Sequence, residues 1–309
     1  MTASPYIVVI GGANMDLHAI AETELVPGSS NAGSSELSPG GVGRNVAEVI
    51  ARLGTPVHLV SVVGDDPLGT ELVHHTADAG VDVSHVRERP VQTGTYAAIV
   101  APNGELVVAV ADMAATDLIS PLMVEAVAGL IRGARLLILD GNLLPATVEQ
   151  ALAIAADADV RVLLEPVSVS KSERLRPVLR RGIDLITPTP AELAALTGLP
   201  VTTGDEMTAA VDALRETGVE SVWVRLGPEE GSYVVSPYGR RIVPGPRIEE
   251  YIDLTGAGDA MLGAFAHALV RGDDWRDAVL YGHAAAALTI ASRHTVRTDL
   301  SDELIRSAL

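Results

Sequence analysis

The sequence predicts an α/β fold whose central sheet is mainly parallel and covered by helices on both faces. Short apolar runs alternate with stretches of helical periodicity along most of the chain, which is the order of elements that produces a parallel sheet. Two segments of different character interrupt this order. Hydrophobic residues make up 48% of the 309 residues, which is enough for a sizeable core.

The body of the fold is predicted from the alternating runs. A first strand at 6–10 ends at Gly11 and Gly12, and a helix at 42–53 has Gly54 as its C-cap. Further strands are predicted at 57–63, 136–139, 162–164, 183–186 and 222–224. Further helices are predicted at 68–79, 145–156, 171–180, 190–197 and 206–217.

The interrupting segments are residues 16–37 and 93–110. The first is polar and rich in glycine and serine, and the second alternates and contains Asn103-Gly104, a strong hairpin turn. Together they predict a small antiparallel sheet that acts as a lid above the carboxyl ends of the parallel strands; two surface loops are the alternative. The predicted division is an α/β body at 1–15, 38–92 and 111–309 and a β lid at 16–37 and 93–110, without a second independent domain.

Charge and composition exclude several classes of protein. A formal net charge of -18 disfavours a nucleic-acid-binding surface, so an anionic substrate would need local positive potential from helix N-termini, arginines and a metal ion. The chain contains no cysteine, which excludes disulfides, thiolate zinc sites and a cysteine nucleophile. No signal peptide is visible at residues 1–5, and no apolar run reaches about 18 residues. We therefore expect a cytoplasmic protein that binds neither nucleic acid nor a membrane.

The clearest indication of function lies in residues 253–265. Gly256, Ala257 and Gly258 run into an apolar, alanine-rich helix, and Asp259 stands at the junction. The first N–H groups of a helix are unpaired and carry the positive end of its dipole, and small residues let an anion approach them. A base beside such an anion cradle is what transfer of a phosphoryl group to a hydroxyl requires. The alternative is a glycine-rich loop in which the aspartate caps the helix.

Two glycine-containing turns are candidates for binding a polyhydroxylated substrate. After the first strand, Asn14 and Asp16 share one face of an extended chain, where an amide and a carboxylate can hold adjacent hydroxyls. Before the next helix, Gly40 and Gly41 would let the backbone approach a ligand, and Asn45 lies in the first helical turn. The alternatives are an Asx turn at the first position and a flexible loop with a helix cap at the second.

Three further features each carry two interpretations. Glu192 falls in the first turn of the helix that Pro190 opens, where it can hold a magnesium ion through water or complement the helix dipole. The turn at 227–231 either lies under a nucleotide base or is a plain hairpin turn. Lys171, the one lysine of the chain, either reaches a phosphate or is solvated at the surface.

Taken in this order, the segments resemble the ribokinase (PfkB-type) carbohydrate kinase family. Residues 40–54 are similar to its first signature and residues 253–265 to its second, and the resemblance extends from Ile7 to about Leu300. It implies a three-layer, Rossmann-like ribokinase fold with a small β lid that often takes part in dimer contacts. Within the family, the segments most similar to pseudouridine kinases are 40–45, 112–113, 140–142, 165–168 and 298–301.

The resemblance also implies a role for each matching residue. Asp259 would be the general base, and Gly256, Ala257 and Gly258 would form the anion hole. The implied substrate-binding residues are Asn14, Asp16, Gly40, Gly41, Asn45, Asp112, Met113 and Asn142. The implied nucleotide-binding residues are Lys171, Thr189, Arg225, Gly227, Gly231 and Thr255.

The implied metal sites are a magnesium ion held through water at Glu192 and a potassium ion at Asp253. Two departures from the family pattern affect the nucleotide side. Thr189 stands where the family usually has asparagine, so one phosphate or magnesium-water contact is altered. The turn at 227–231 is one residue longer than usual, so the adenine pocket differs.

The function expected from the sequence is transfer of the γ-phosphoryl group of ATP, with Mg²⁺, to a primary hydroxyl of a ribosyl substrate. The 5′-hydroxyl of pseudouridine is the preferred acceptor, and Asp112 and Met113 would face its base. The alternatives are another sugar or nucleoside kinase, such as a ribokinase or fructokinase, and a non-catalytic sugar- or nucleoside-binding protein. A nicotinamide-dependent dehydrogenase shares the α/β body, but the chain lacks the dinucleotide fingerprint. We expect a homodimer formed through the β lid.

Overall fold

A computed structural model describes residues 4–179, 182–245 and 251–309. The strands, in chain order, are β1 (Ile7–Ile10), β2 (Asn14–Ala21), β3 (Gly33–Gly40), β4 (Val57–Gly64), β5 (Asp82–Arg89), β6 (Thr95–Val100), β7 (Leu106–Asp112), β8 (Leu136–Asp140), β9 (Arg161–Glu165), β10 (Leu185–Ile186), β11 (Ser221–Gly227), β12 (Gly231–Ser236) and β13 (Gly239–Val243). Within these described residues, nine strands form one sheet in the order β13-β12-β11-β10-β9-β8-β1-β4-β5, and four form a second in the order β3-β2-β6-β7.

The large sheet is parallel from β5 to β11, and β12 and β13 extend it as an antiparallel hairpin. Its strand β1 shows why both faces are covered. Ile7 and Val9 are buried in one hydrophobic core, whereas Val8 and Ile10 are buried in the other. Alternate residues of a strand point to opposite faces, so an uninterrupted apolar run needs helices on both sides. The predicted mainly parallel sheet is confirmed.

Helices form the two outer layers. They are α1 (Val42–Arg52), α2 (Pro67–Asp78), α3 (Pro121–Ala126), α4 (Ala128–Gly133), α5 (Pro145–Asp157), α6 (Val169–Leu175), α7 (Pro190–Thr197), α8 (Gly204–Glu216), α9 (Ala257–Arg271), α10 (Trp275–Ile290) and α11 (Asp302–Ser307). Helices α1, α9, α10 and α11 pack on one face of the large sheet, and α3 to α8 pack on the other. The result is a three-layer arrangement with one core on each side of the sheet.

Two predicted elements are shorter than expected. The helix predicted at 171–180 ends as an α-helix at Leu175 and continues as a 3₁₀ turn over Arg176–Val178. Pro177 lacks an N–H group and its ring obstructs the preceding turn, which explains the change; residue 180 lies outside the described residues. The strand predicted at 183–186 is reduced to β10. The C-cap residue of α1 is Leu53 rather than the predicted Gly54, which follows it with a φ of 87°.

The two interrupting segments form a second sheet, so the alternative of two surface loops is wrong. The Asn103-Gly104 turn joins β6 and β7 as predicted, with Gly104 at a φ of 86°. The prediction of a purely antiparallel sheet is wrong, because β2 and β6 pair in parallel. Hairpin signals specify only strands joined by a short turn, whereas β2 and β6 are separated by three strands and two helices. The strands also extend about two residues beyond the predicted lid segments.

The parallel strands place several turns at one edge of the large sheet. Strands β1, β8 and β9 end at Ile10, Asp140 and Glu165, and their registers align these ends. Strand β2 follows β1 after three residues, so the small sheet begins at this same edge. The division into a body and a lid remains a prediction, and its residues 1–3, 180–181 and 246–250 lie outside the described part of the chain.

Candidate active site

The turn before α9 is the predicted anion cradle, and it consists of small residues. Gly256 is the N-cap residue with a φ of 77°, and a side chain there would overlap the carbonyl oxygen of Thr295. No side chain caps this helix start. The alternative in which Asp259 is a helix cap is therefore wrong, and the first-turn N–H groups are free of a side-chain acceptor. A helix start with free donors and small residues suits an anion.

Asp259 lies in the first turn of α9 and is 8% exposed. Its Oδ2 atom accepts a hydrogen bond from Asn45 Nδ2 at 2.8 Å. Desolvation by burial raises the pKa of Asp259 to about 7, although the bond from Asn45 opposes this shift. The carboxylate is thus poised to change protonation state near neutral pH, as a general base must.

Arg44 fixes the orientation of the Asn45 amide. Its Nη1 atom donates to Asn45 Oδ1 at 2.9 Å and to the carbonyl oxygen of Pro39 at 3.1 Å. Arg44 is buried and forms an ion pair with Glu48, one turn along α1. A guanidinium can only donate, so it holds the amide oxygen on its own side and leaves Nδ2 for the carboxylate. The sequence analysis did not identify Arg44 as a site residue.

Asn14 and Asp16 lie on one face of β2, as predicted. Asn14 Nδ2 donates to Asp16 Oδ1 at 2.6 Å. A side chain at Gly40 would overlap the carboxylate of Asp16, and a Cβ at Gly41 would lie 2.9 Å from Asn14 Oδ1. Gly41 has a φ of 94°, which also favours glycine. The two predicted glycine turns therefore meet at one polar surface.

Asp140 accepts hydrogen bonds from both of these glycine turns. Its Oδ2 atom accepts N–H bonds from Gly12 at 2.8 Å and Gly43 at 2.9 Å. Its Oδ1 atom accepts from the N–H of Asn142 at 2.9 Å. Burial raises the pKa of Asp140. The predicted site did not include Asp140, and its position at the end of an apolar strand was the available signal.

Lys171 lies with the substrate residues rather than with the nucleotide residues to which it was assigned. Its Nζ atom donates to Asn142 Oδ1, and a Cβ at Gly12 would lie 3.2 Å from Asn142 Nδ2. The assignment to a phosphate is corrected because α6, which carries Lys171, follows β9 and returns towards the loop after β8. Lys171 is half-buried and paired, so it is not a solvated surface lysine.

Asp112 ends β7 and Met113 follows it, at the rim of the same surface. A Cβ at Gly94 would lie 3.2 Å from Asn14 Cβ and 3.6 Å from Met113 Sδ. Met113 therefore lies close to Asn14. The side chain of Asp112 is exposed, and its Oδ1 atom accepts the N–H of Ala114 at 3.3 Å.

A cavity of about 410 Å³ opens on the other side of the α9 start. The predicted residues on its wall are Thr189, Glu192, Arg225, Gly227, Gly231, Ala257 and Gly258. Apolar groups of α10, including Ala286 and Ile290, form the opposite wall. The 227–231 turn is a hairpin turn that joins β11 to β12, and it also lines this cavity.

His283 is a cavity residue that the sequence analysis missed. It lies on α10, is 8% exposed, and its ring stacks at a tilt on Trp223 with centroids 5.5 Å apart. Burial lowers the pKa of His283 to about 4, so the ring is neutral. Within the described part of the chain, its Nε2 atom has no hydrogen-bond partner. Such an atom can bond a ligand in the cavity.

Arg225 hydrogen-bonds two buried glutamates and also contacts the backbone of the anion cradle. Its Nη2 atom donates to Glu165 Oε1 at 2.7 Å and to Glu192 Oε2 at 3.2 Å. A side chain at Gly258 would overlap Arg225 Nη1, so the guanidinium lies against the backbone of the α9 start. Glu165 is buried, which raises its pKa, and the charge of Arg225 opposes that rise.

Glu192 and Thr189 form a capping box at the start of α7. Thr189 N–H donates to Glu192 Oε2 at 2.8 Å, and Glu192 N–H donates to Thr189 Oγ1 at 3.3 Å. This arrangement satisfies two helix-start donors and places a negative charge at the positive end of the dipole. Of the two interpretations of Glu192, the local structure therefore favours the charge that complements the helix dipole. A role in holding magnesium would be additional.

The backbone next to this cavity is strained at one position. Val167 has a φ of 73°, although a β-branched residue rarely adopts a positive φ. Its N–H group donates to Glu165 Oε1 at 3.2 Å, and the residue lines the cavity. Strain of this kind costs about 1–3 kcal/mol and concentrates at functional sites.

Asp253 and Thr255 precede the cradle. Thr255 N–H donates to Asp253 Oδ1 at 2.8 Å in a local turn. Among residues 4–179, 182–245 and 251–309, no group of three or more His, Cys, Asp or Glu side chains could hold a metal ion. None of the helices in these ranges has the length and hydropathy needed to span a bilayer.

Fold and site together define the class of protein, and comparison with known proteins agrees. Residues 4–302 match the pfkB family carbohydrate kinase model. The sequence is 32% identical to the uncharacterized sugar kinase YeiI of Escherichia coli (strain K12), over 94% of this chain and 80% of that protein. It is 29% identical to the pseudouridine kinase of the same organism, over 97% and 95%. A carbohydrate kinase from Agrobacterium tumefaciens has a similar structure, with a TM-score of 0.84 and 31% identity over 98% of this chain and 96% of that chain.

The protein belongs to the pfkB family of carbohydrate kinases. It has the ribokinase fold, which consists of a large, mostly parallel sheet between helical layers and a smaller separate sheet. Its class is therefore that of a phosphotransferase with an alcohol group as acceptor, acting on a sugar or a nucleoside.

Proposed function

We propose that the protein transfers the γ-phosphoryl group of ATP to the 5′-hydroxyl of pseudouridine. The observation that carries the proposal is the position of Asp259, which hydrogen-bonds Asn45 on the substrate side and belongs to the first turn of α9 on the donor side. A hydroxyl bound next to Asn45 would meet both a base and the N–H groups of the α9 start, where no described side chain acts as a cap. These are the two requirements of phosphoryl transfer to an alcohol.

In the proposed reaction, the acceptor oxygen bonds to the γ-phosphorus while the bond from that phosphorus to the oxygen of the leaving ADP breaks. Asp259 takes the hydroxyl proton. Because burial raises its pKa to about 7, the carboxylate is a stronger base than an exposed aspartate and is still ionised in a large fraction at neutral pH. The N–H groups of Gly256, Ala257 and Gly258 stabilise the charge on the transferred group.

The cavity of about 410 Å³ supports the binding of a nucleotide donor. Its volume falls within the range of about 300–1,000 Å³ that small-molecule sites occupy. The apolar wall of α10 suits a base, with His283 Nε2 as a polar contact. Thr189, Gly227, Gly231 and Arg225 line the same cavity as Ala257 and Gly258, and the phosphates would extend along them.

Glu192 fits a magnesium ion held through water. Its Oε2 atom is already occupied by Thr189 N–H and Arg225, and Mg²⁺ normally retains several waters. When bound, the ion neutralises charge on the donor phosphates. Asp253, with the Thr255 turn, is the proposed potassium site.

The substrate surface supports a base-bearing acceptor. Asn14, Asp16, Gly41 and Asn45 would hold the ribosyl hydroxyls, because their polar groups surround the space in front of Asp259. The proposed base-facing residues are Asp112, Met113, Asn142 and Lys171. The similarity to a pseudouridine kinase supports a base-bearing acceptor.

The small sheet supports the proposal of a homodimer. Register places Leu17, Leu37, Ala97 and Val110 in one row on the face opposite Asn14 and Asp16. Leu17, Leu37 and Val110 are 36%, 47% and 67% exposed. An apolar sheet face of this kind is typical of a protein interface, and we propose that a second copy of the chain covers it. Closure of the sheet would exclude water and limit hydrolysis of ATP.

A substrate panel tests the proposal. ADP formation is measured with ATP, Mg²⁺ and each of ribose, fructose, adenosine, uridine and pseudouridine, and the product is identified by mass spectrometry. We expect the highest kcat/KM with pseudouridine and a value at least about tenfold lower with uridine, since a lost hydrogen bond to a buried group costs about 1–3 kcal/mol.

The outcomes separate the alternatives. Equal rates with uridine and pseudouridine would contradict the narrower assignment, and a preference for ribose or fructose would indicate a sugar kinase. No ADP formation with any acceptor, in protein that still binds one, would indicate a non-catalytic binding protein. Asp259→Asn, which keeps the shape of the side chain, is the matched control for contaminating kinases.

A further inference from the structure

A second cavity, of about 750 Å³, lies between the edge strand β13 and the junction of α9 with α10. It shares no lining residue with the donor cavity. Arg135 directly precedes β8 and Arg161 begins β9, so the cavity lies at the amino ends of strands whose carboxyl ends reach the active site. The remaining arginines on its wall are Arg241 of β13 and Arg276 of α10.

Of these four arginines, Arg161 interacts electrostatically with the carboxylate of Asp184. Within the described ranges, none of their guanidinium groups forms a hydrogen bond or a salt bridge. The two carboxylates on the same wall have other partners. Asp273 pairs with Arg271, and Asp274 caps α10 by accepting the N–H of Asp277 at 2.9 Å. Four arginines on one cavity wall, without a salt bridge to any described residue, are unexpected in a chain with a net charge of -18.

The cavity also offers an aromatic surface. The rings of Tyr238 and Trp275 lie 6.5 Å apart at an angle of 44°. Tyr238 is 72% exposed, and the apolar side chains of Val279 and Leu280 continue the wall. Guanidinium groups recognise phosphates, and aromatic rings stack on planar bases. A nucleoside phosphate offers both a phosphate group for the arginines and a planar base for the aromatic rings.

We propose that this cavity, the arginine cavity, is a second binding site that takes a nucleoside phosphate. Arg161 and Arg241 bind the phosphate groups, and the base lies against Trp275 and Tyr238. Helix α9 connects the two sites, because it begins at the anion cradle and its residue Leu269 lines the arginine cavity. A ligand here contacts the far end of the helix that carries Asp259.

Tryptophan fluorescence reports on the site directly. The chain has two tryptophans, and Trp223 is fully buried in the core, so the variant Trp223→Phe leaves Trp275 as the one fluorophore. ADP is titrated into this variant and into a version that also carries Arg161→Gln and Arg241→Gln. We expect saturable quenching in the first, and an affinity at least about tenfold weaker in the second, because two charged contacts are lost.

Equilibrium dialysis of radiolabelled ADP gives a second measurement in protein that retains both tryptophans. We expect two ADP molecules bound per chain at saturation, and one in the Arg161→Gln/Arg241→Gln variant with its KM for ATP unchanged. The matched control is Arg87→Gln/Arg132→Gln, which removes the same charge at exposed positions outside both cavities and should bind two.

Three results would overturn the proposal. They are a stoichiometry of one in unsubstituted protein, quenching of Trp275 that survives loss of Arg161 and Arg241, and an equal loss of binding in the control variant. The proposal does not depend on the proposed acceptor. A protein inactive towards every sugar and nucleoside would leave the titration of Trp275 interpretable, and an active kinase that binds one ADP would contradict the second site alone.

Discussion

Asn45 Nδ2 donates a hydrogen bond to Asp259 Oδ2 at 2.8 Å, and the two residues are 214 positions apart in the sequence. The bond joins the first turn of α1 to the first turn of α9. These two helix starts carry the residues assigned to the acceptor and to the phosphoryl group. The contact therefore brings the residues assigned to the acceptor and those assigned to the phosphoryl group together at the Asp259 carboxylate.

Replacement of Asp259 by asparagine should abolish most activity while leaving the fold intact. Loss of a general base typically costs about 10²–10⁴-fold in rate, so we expect kcat to fall by that factor with little change in KM for the acceptor. Steady-state kinetics test this, with circular dichroism as the control for folding. A variant that kept full kcat would exclude the role of Asp259 as base.

The same variant should be more stable than the parent protein at alkaline pH. The pKa of Asp259 is about 7 in the folded chain, against an ordinary value of 3.8. The folded state therefore favours the neutral carboxyl, and its stability falls as pH rises from about 3.8 to about 7, above which the carboxyl is ionised in both states. The difference between the two proteins should be small at about pH 3.5 and on the order of a few kcal/mol at pH 8. Urea unfolding at both pH values measures it.

Activity should decline on the acid side of neutrality. Only the ionised Asp259 accepts a proton, so kcat/KM should fall about tenfold per pH unit below a pKa of about 7. The bond from Asn45 lowers the pKa of Asp259, and Asn45→Ala should therefore move the acid limb to higher pH. An unchanged limb in that variant would show that another group controls the profile.

Arg44 should act as a positioning residue for the base. The double variant Arg44→Met/Glu48→Met removes both members of a buried ion pair, and it also removes the contact of Glu48 with Arg52. With its oxygen released, Asn45 no longer presents Nδ2 to Asp259, and we expect kcat to fall by about 10–100-fold because small displacements of reacting groups are costly. The acid limb should shift as in Asn45→Ala. If thermal melting shows a folded protein with unchanged kcat and pH profile, the orienting role is excluded.

Replacement of Arg225 should lower kcat/KM for ATP more than it weakens the binding of ADP. Its guanidinium lies against Gly258 and is anchored by Glu165 and Glu192. Loss of a donor at the transferred group typically costs about 10²–10³-fold, so Arg225→Gln should lower kcat/KM for ATP by that factor and weaken ADP binding less. Arg225→Lys, which keeps the charge, should recover part of the loss. The matched control is Arg240→Gln, which breaks an exposed pair with Asp212; equal losses of ATP and ADP binding would indicate a purely structural role for Arg225.

The exposed apolar face of the small sheet should determine whether the chain forms a homodimer. Val110→Lys places a charge at the end of the exposed apolar row, on the edge strand β7. We expect light scattering to show a dimer for the unsubstituted protein and a monomer for the variant. Glu105→Lys, on the exposed hairpin turn, is the control for added charge and should remain a dimer.

The sequence by itself determined the layers and the local chemistry. Apolar runs such as Ile7–Ile10 fixed a buried parallel strand, and Gly256 to Asp259 indicated an anion-binding helix start, because periodicity and turn chemistry are properties of neighbouring residues. The tertiary structure decided which remote groups meet. It paired β2 with β6 in parallel, brought Lys171 to Asn142, and set Arg44 behind Asn45. It also raised the pKa of Asp259, since desolvation arises only when distant elements pack around a charge.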